Sequence, residues 1–173
     1  MQLCWRITKY DPKKRDGQGR FSAEEWTAYS DIGKTYAGKV FSFDEYIEIE
    51  ALYIDAIKYF MTFLGISSLQ VKALEKSKKI TTDVHANKQM TDFFKSIKED
   101  DWVMQSQIED VCKLILREQL WCKLENDQKM YVHFGYDYYM YIGSELVSEG
   151  LLEKIRSTGL FVETFQSPYE DQD

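Results

Sequence analysis

"QLWCKLENDQKMYVHFGYDYYMYIG", residues 119–143, is the stretch on which the fold turns. Trp121, Lys123 and Glu125 alternate with Leu120, Cys122 and Leu124. Glu125-Asn126-Asp127-Gln128 is polar and turn-forming. Met130, Val132 and Phe134 then alternate with Tyr131 and His133, residues 135–138 can turn, and Tyr139, Tyr141 and Ile142 continue. A period of two broken twice by turn residues predicts an antiparallel meander of three strands. Six of the thirteen residues from 131 to 143 are tyrosine or phenylalanine, so the same stretch also invites reading as a pocket. The sheet is the simpler explanation, because cross-strand aromatic pairs stabilise a sheet by about 0.2 to 1 kcal/mol each. On that reading one face rests on a helix and the other leaves tyrosine hydroxyls in water.

Working outward, "LCWRITKY" alternates as a half-buried strand and stops at the turn signals of "DPKKRDGQGR", a solvated basic loop. Three serines followed three residues later by glutamate (Ser22/Glu25, Ser42/Glu45, Ser106/Glu109) predict capped helix starts. The first helix is short, about residues 23–30. The second runs from about Phe43 to Leu64, closes at Gly65, and carries Tyr46, Ile49, Tyr53, Ile57, Phe60 and Leu64 at helical spacing, widened by Ile47, Ala56 and Phe63. "SLQVKALEK" reads as a strand with Leu69, Val71 and Ala73 on one face. Residues 82–98 read as a polar helix, "KEDDW" as an acidic loop, and the third capped helix ends near Glu118. Ser144 caps a helix to about Ser157, and "GLFVETFQSP" is a last strand before a loose acidic tail at about 169–173. The order β-α-α-β-α-α-β-β-β-α-β predicts an α+β fold, with helices packed on a mainly antiparallel sheet. Trp5, Ile49, Tyr53, Ile57, Phe60 and Val132 are expected in one core.

At 173 residues the chain is read as a single domain, 1–173. Hydrophobic residues make up 44% and charged residues 29%, the balance of a globular protein. Three cysteines without a CxxC pair fit a reducing cytosol, and "MQLCWRITKY" has no leader-like apolar core. The longest apolar run carries Glu50, Asp55 and Lys58, so no membrane span is expected. A net charge of -7 gives no general attraction to nucleic acid, and it favours a basic partner.

No stretch is a specific catalytic signature. There is no GxSxG elbow and no phosphate-binding glycine loop, and neither His85 nor His133 has a helical metal-ligand companion. No cofactor, metal or catalytic residue is expected. Paired carboxylates such as Glu48/Glu50 are read as solvated.

The segments "WRITKYDPKKRDGQGRF", "EEWTAYSDIGK", "LILREQLWCKLE", "YVHFGYDYYMYI" and "GLFVETFQSPY" together resemble a family of small bacterial proteins that look like the immunity proteins encoded beside polymorphic or contact-dependent toxins. The resemblance implies a cytoplasmic antitoxin that binds a cognate toxin stoichiometrically, without catalysis, nucleic-acid contact or membrane contact. Two segments combine negative charge with an aromatic ring and are the expected partner surface: Glu99, Asp100, Asp101 and Trp102 in one loop, and Tyr136, Asp137 and Tyr138 at a hairpin tip. Two other classes remain open at this point. One is a small enzyme with a site around His133 and Cys122. The other is a sensor or adaptor holding a small ligand between helix and sheet.

Overall fold

The computed structural model of the chain describes residues 3–77, 85–127 and 129–170. Among them, four α-helices pack on a seven-stranded, wholly antiparallel sheet of order β5-β4-β6-β7-β8-β1-β9. The strands are β1 (Leu3–Thr8), β4 (Ser68–Lys76), β5 (Trp102–Met104), β6 (Leu120–Asn126), β7 (Met130–Phe134), β8 (Met140–Ser144) and β9 (Phe161–Thr164). A separate small hairpin joins β2 (Thr35–Tyr36) and β3 (Lys39–Val40). The helices are α1 (Phe43–Leu64), α2 (Lys88–Ser96), α3 (Ile108–Leu116) and α4 (Glu149–Arg156). No helix among the described residues is long and apolar enough to cross a membrane.

The meander is β6-β7-β8, with Leu124 opposite Val132 and Val132 opposite Ile142. These three residues are buried on the helix-covered face. Trp5 and Ile7 of β1 join them there, under Tyr53, Ile57 and Phe60 of α1. Of the expected core, Trp5, Tyr53, Ile57, Phe60 and Val132 are buried, while Ile49 packs against them half-buried.

The capping boxes separate cleanly. Ser42 Oγ accepts from Glu45 N–H at 3.2 Å and the Glu45 carboxylate accepts from Ser42 N–H at 3.2 Å, so α1 starts where expected. Gly65 closes it in the left-handed conformation, φ 68°. The other two boxes do not form. Ser22 Oγ donates to Lys14 O, Glu25 is taken by Lys9 and Lys14, and residues 23–30 are not helical, apart from a 3-10 turn at Tyr29–Asp31. Trp26 of this segment stacks on Phe41 at 4.5 Å, beneath the Lys9 ammonium. That tertiary packing overrides the local helix signal. Glu109 instead bridges Lys113 and Lys58, and α3 grows from a 3-10 turn at Gln105–Gln107.

Other expectations are corrected. The acidic loop is present at residues 98–101, and its expected last residue, Trp102, instead begins the short strand β5. α2 begins at Lys88, and the expected start at 82 lies outside the described residues. Ala73 sits at a bulge with φ 53° and is exposed, since the register with β6 shifts between Lys72 and Glu75. Ile47 and Phe63 of α1 are exposed. Ser144 ends β8, and Ser148 caps α4 by accepting from Leu151 N–H. Arg15 of the "solvated" loop ion-pairs with Glu163 at 2.8 Å, 8% of its side chain exposed. Glu50 is buried in a bidentate pair with Arg117, Arg117 Nη2 to Oε1 at 2.7 Å and Nε to Oε2 at 2.8 Å.

Candidate functional site

Strand alternation puts Tyr131, His133, Tyr141, Cys4 and Arg6 on the face away from the helices. Their hydroxyls were expected in water, but the chain itself covers them. After β9, residues 165–170 turn back across this face. His133 Nδ1 lies 2.8 Å from Ser167 Oγ, Tyr131 OH donates to Glu170, and Tyr169 packs on Trp121 and Tyr141. Tyr131, Tyr141 and Cys4 thereby form a second small core. Tyr169 and Glu170 are therefore part of the fold rather than a loose tail.

The covered area ends short of two borders, and each holds one of the expected partner segments. At one border is the turn after β7. Asp137 (φ 56°) and Tyr138 (φ 63°) are consecutive non-glycine residues in the left-handed region. Such a pair persists only where its surroundings hold it. Here two tyrosines hold it: Tyr10 OH donates to Asp137 O at 2.6 Å and Tyr53 OH donates to Tyr138 O at 2.8 Å. Burial drives both phenols far above their ordinary pKa, so they stay protonated donors. The consequence is that Tyr136 stands 87% exposed on a braced loop, with Asp137 exposed beside it. Tyr138 departs from expectation. Its ring turns inward against Tyr46, Tyr53 and Trp26 and is 6% exposed, so it belongs to the core.

A concavity of about 460 Å³ opens under this tip, walled by Leu116, Leu120, Trp121, Phe134, Tyr136 and Tyr139 among others. Glu118 lines it too and is also left-handed, φ 60°. Three non-glycine residues of that conformation thus border one depression.

At the other border, Trp102 begins edge strand β5 and is 48% exposed, as is Met104. Glu99, Asp100 and Asp101 are exposed next to it, but their carboxylates already serve the fold. Glu99 accepts from Ala73 N–H and Leu74 N–H at the β4 bulge, Asp100 pairs with Lys72 at 2.5 Å, and Asp101 accepts from Lys98 N–H. Trp102 pairs with Gln70, Gln70 with Glu125 and Glu125 with Tyr131, so Trp102 lies on the face that also bears Tyr131. Strand spacing and rise separate Trp102 from Tyr136 by roughly 20 Å. One interface patch of about 800 Å² per partner is about 30 Å across, wide enough for both. No sequence signal had placed the two segments on one surface, because the tertiary register brings them there.

The structure does not bring Cys122 and His133 together. Cys122 is buried on the helix side, in the same core as Cys112, and burial pushes its thiol up to about 12. His133 is on the opposite side of the sheet. No group of three or more histidine, cysteine or acidic residues that could hold a metal occurs among the described residues. No family model, no curated protein and no solved structure matches the chain.

Proposed function

We propose that the chain is an immunity protein that neutralises a cognate bacterial toxin domain by stoichiometric binding in the cytoplasm. The toxin docks on the sheet face between Tyr136 and Trp102. The observation that carries this reading is the braced display of Tyr136. A large apolar ring held almost fully in solvent, on a backbone pair that costs free energy to maintain, is what a preorganised binding anchor requires. Tyrosine is enriched at such anchors because it offers much contact area with little rotamer entropy.

The toxin and immunity parts of the reading come from the family resemblance. The net charge of -7 is consistent with a basic toxin, whose encounter would be accelerated by steering. Asp137 is the acid best placed to contribute, because Glu99, Asp100 and Asp101 are engaged by the fold. The test is binding kinetics with the toxin domain encoded beside this chain's gene. Tyr136→Ala and Trp102→Ala are expected to speed dissociation, and Asp137→Asn to slow association at low salt. Complex formation insensitive to all three places the interface elsewhere.

A further inference from the structure

The concavity of about 460 Å³ under the Tyr136 tip joins an apolar floor to an acidic rim. Leu116, Leu120 and Phe134, all buried, line it from below, while Glu75, Glu118 and Asp137 line it as exposed residues. Lys76 is the one cation on its wall among the described residues, and its ammonium is already spent on Phe94 O at 2.6 Å. The wall therefore carries a balance of -2 (one positive charge against three negative). Among the described residues no hydrogen bond or ion pair engages the side chains of Glu75, Glu118 or Asp137. They differ in this from Glu99, Asp100 and Asp101, whose carboxylates serve the fold.

Charge decides what fits there. A second copy of this chain would bring its own Asp137 and a net charge of -7, and would be repelled. A cation is attracted, and α3 adds to the attraction by ending at Leu116, which places the negative end of its dipole on the same wall. The aromatic lining narrows the choice further. Glu75 lies directly opposite Trp121 on the neighbouring strand, so a carboxylate and an indole stand side by side, and Tyr136 supplies a second ring. Tyr139 is already occupied, because the Arg6 and Arg15 guanidiniums lie over its ring. An apolar floor beneath carboxylates and aromatic faces suits a side chain with an apolar stem and a cationic head, which is the chemistry of lysine and arginine.

We infer that this concavity receives a basic side chain, lysine or arginine, of the docking partner. The inference deepens the proposed function and rests on it only for the source of that side chain. The probes are N-acetyl-L-lysinamide and N-acetyl-L-argininamide, titrated into the full chain and followed by NMR at the Trp121 indole N–H. That group donates to Phe134 O at 2.8 Å, and both residues line the concavity. A saturable shift with at least one of the two is expected, and N-acetyl-L-norleucinamide, which keeps an apolar stem without the charge, should leave the signal unmoved. The double variant Glu75→Gln/Glu118→Gln should weaken binding about fivefold, as the loss of two exposed ion pairs. Both carboxylates are exposed and unengaged, so the variant keeps the fold. No shift with either basic amide, an equal shift with norleucinamide, or an unchanged affinity in the double variant overturns the inference. An amide that stays bound when the toxin domain is docked overturns the partner as the source. The titration itself needs no toxin, so a toxin domain that fails to bind the chain refutes the proposed function and leaves the cation site standing.

Discussion

The Tyr131 ring lies across Gly143, the residue directly opposite it on the neighbouring strand. A Cβ at Gly143 would stand well under 3.0 Å from ring carbons of Tyr131. The glycine is thus the floor on which the second core is laid, with Cys4 opposite it on the other side. Gly143→Ala is expected to destabilise by about 1 to 3 kcal/mol through overpacking. Because the ring must move, the C-terminal segment should loosen as well. Urea unfolding and amide exchange at residues 165–170 check both, and wild-type stability with wild-type exchange would contradict the packing.

Ile57 is fully buried on α1, against the sheet. Ile57→Ala should cost about 2 to 5 kcal/mol, from lost burial and the cavity left behind. Ile49→Ala, at a half-buried position on the same helix, should cost clearly less. Equal losses in denaturant melts would mean the inward face of α1 is misassigned.

The Glu50–Arg117 pair is buried on both sides, side-chain exposure 2% and 4%. Removing one member leaves a buried charge without its partner, so Glu50→Ala is expected to cost about 3 to 5 kcal/mol. Replacing both residues with apolar ones of similar volume should restore much of that. A double-mutant cycle by thermal or chemical unfolding measures the difference.

Alkaline pH should destabilise the fold through its buried thiols and phenols. Burial raises Cys122 from 9.0 to about 12 and Cys112 well above 9.0. A raised folded-state pKa means that the unfolded chain releases its proton first. The stabilising contribution is therefore complete below pH 9.0 and is lost as pH rises towards about 12. Each thiol contributes a fall of about 1.4 kcal/mol per pH unit in that window. Tyr10, Tyr46 and Tyr53, also raised by burial, add to it at the upper end. Denaturation midpoints measured from pH 8 to 11 should be level at first and then fall, and a flat profile would show that these groups are not buried in solution.

The sheet was legible because period-two alternation survives in β1, β6, β7, β8 and β9, and α1 because its capping box, apolar stripe and terminal glycine all agree. Two capping boxes did not form: Glu25 pairs with Lys9 and Lys14, and Glu109 with Lys58, distant in sequence, and with Lys113 one turn on, although a helix still starts two residues after Ser106. β5 was hidden in three residues whose only strand signal is its pairing with Ser68, Leu69 and Gln70. At the candidate site, Tyr136 and Trp102 could be nominated from the sequence, being aromatic residues beside acids in turns. Tyr138 could not be separated from Tyr136, since the distinction is a left-handed backbone pair fixed by Tyr10 and Tyr53. The crossing of residues 165–170 over His133 and Tyr131 depends on contacts more than thirty residues apart in the chain and has no sequence signature.

The bracing of Tyr136 can be loosened without touching the ring. Tyr10→Phe and Tyr53→Phe each remove one hydroxyl that grips the left-handed pair. If the loop is a preorganised anchor, the double variant should bind the neighbouring-gene toxin domain more weakly while Tyr136 remains present.

The most direct measurement is the dissociation rate of that complex for Tyr136→Ala, set against Asp92→Ala on α2 as a control away from the proposed face. Dissociation at least tenfold faster for Tyr136→Ala, at unchanged melting temperature and with the control at the wild-type rate, is the predicted result, since an interface anchor is worth about 1.4 kcal/mol or more. A wild-type rate for Tyr136→Ala would contradict the assignment of the braced tip as the docking anchor.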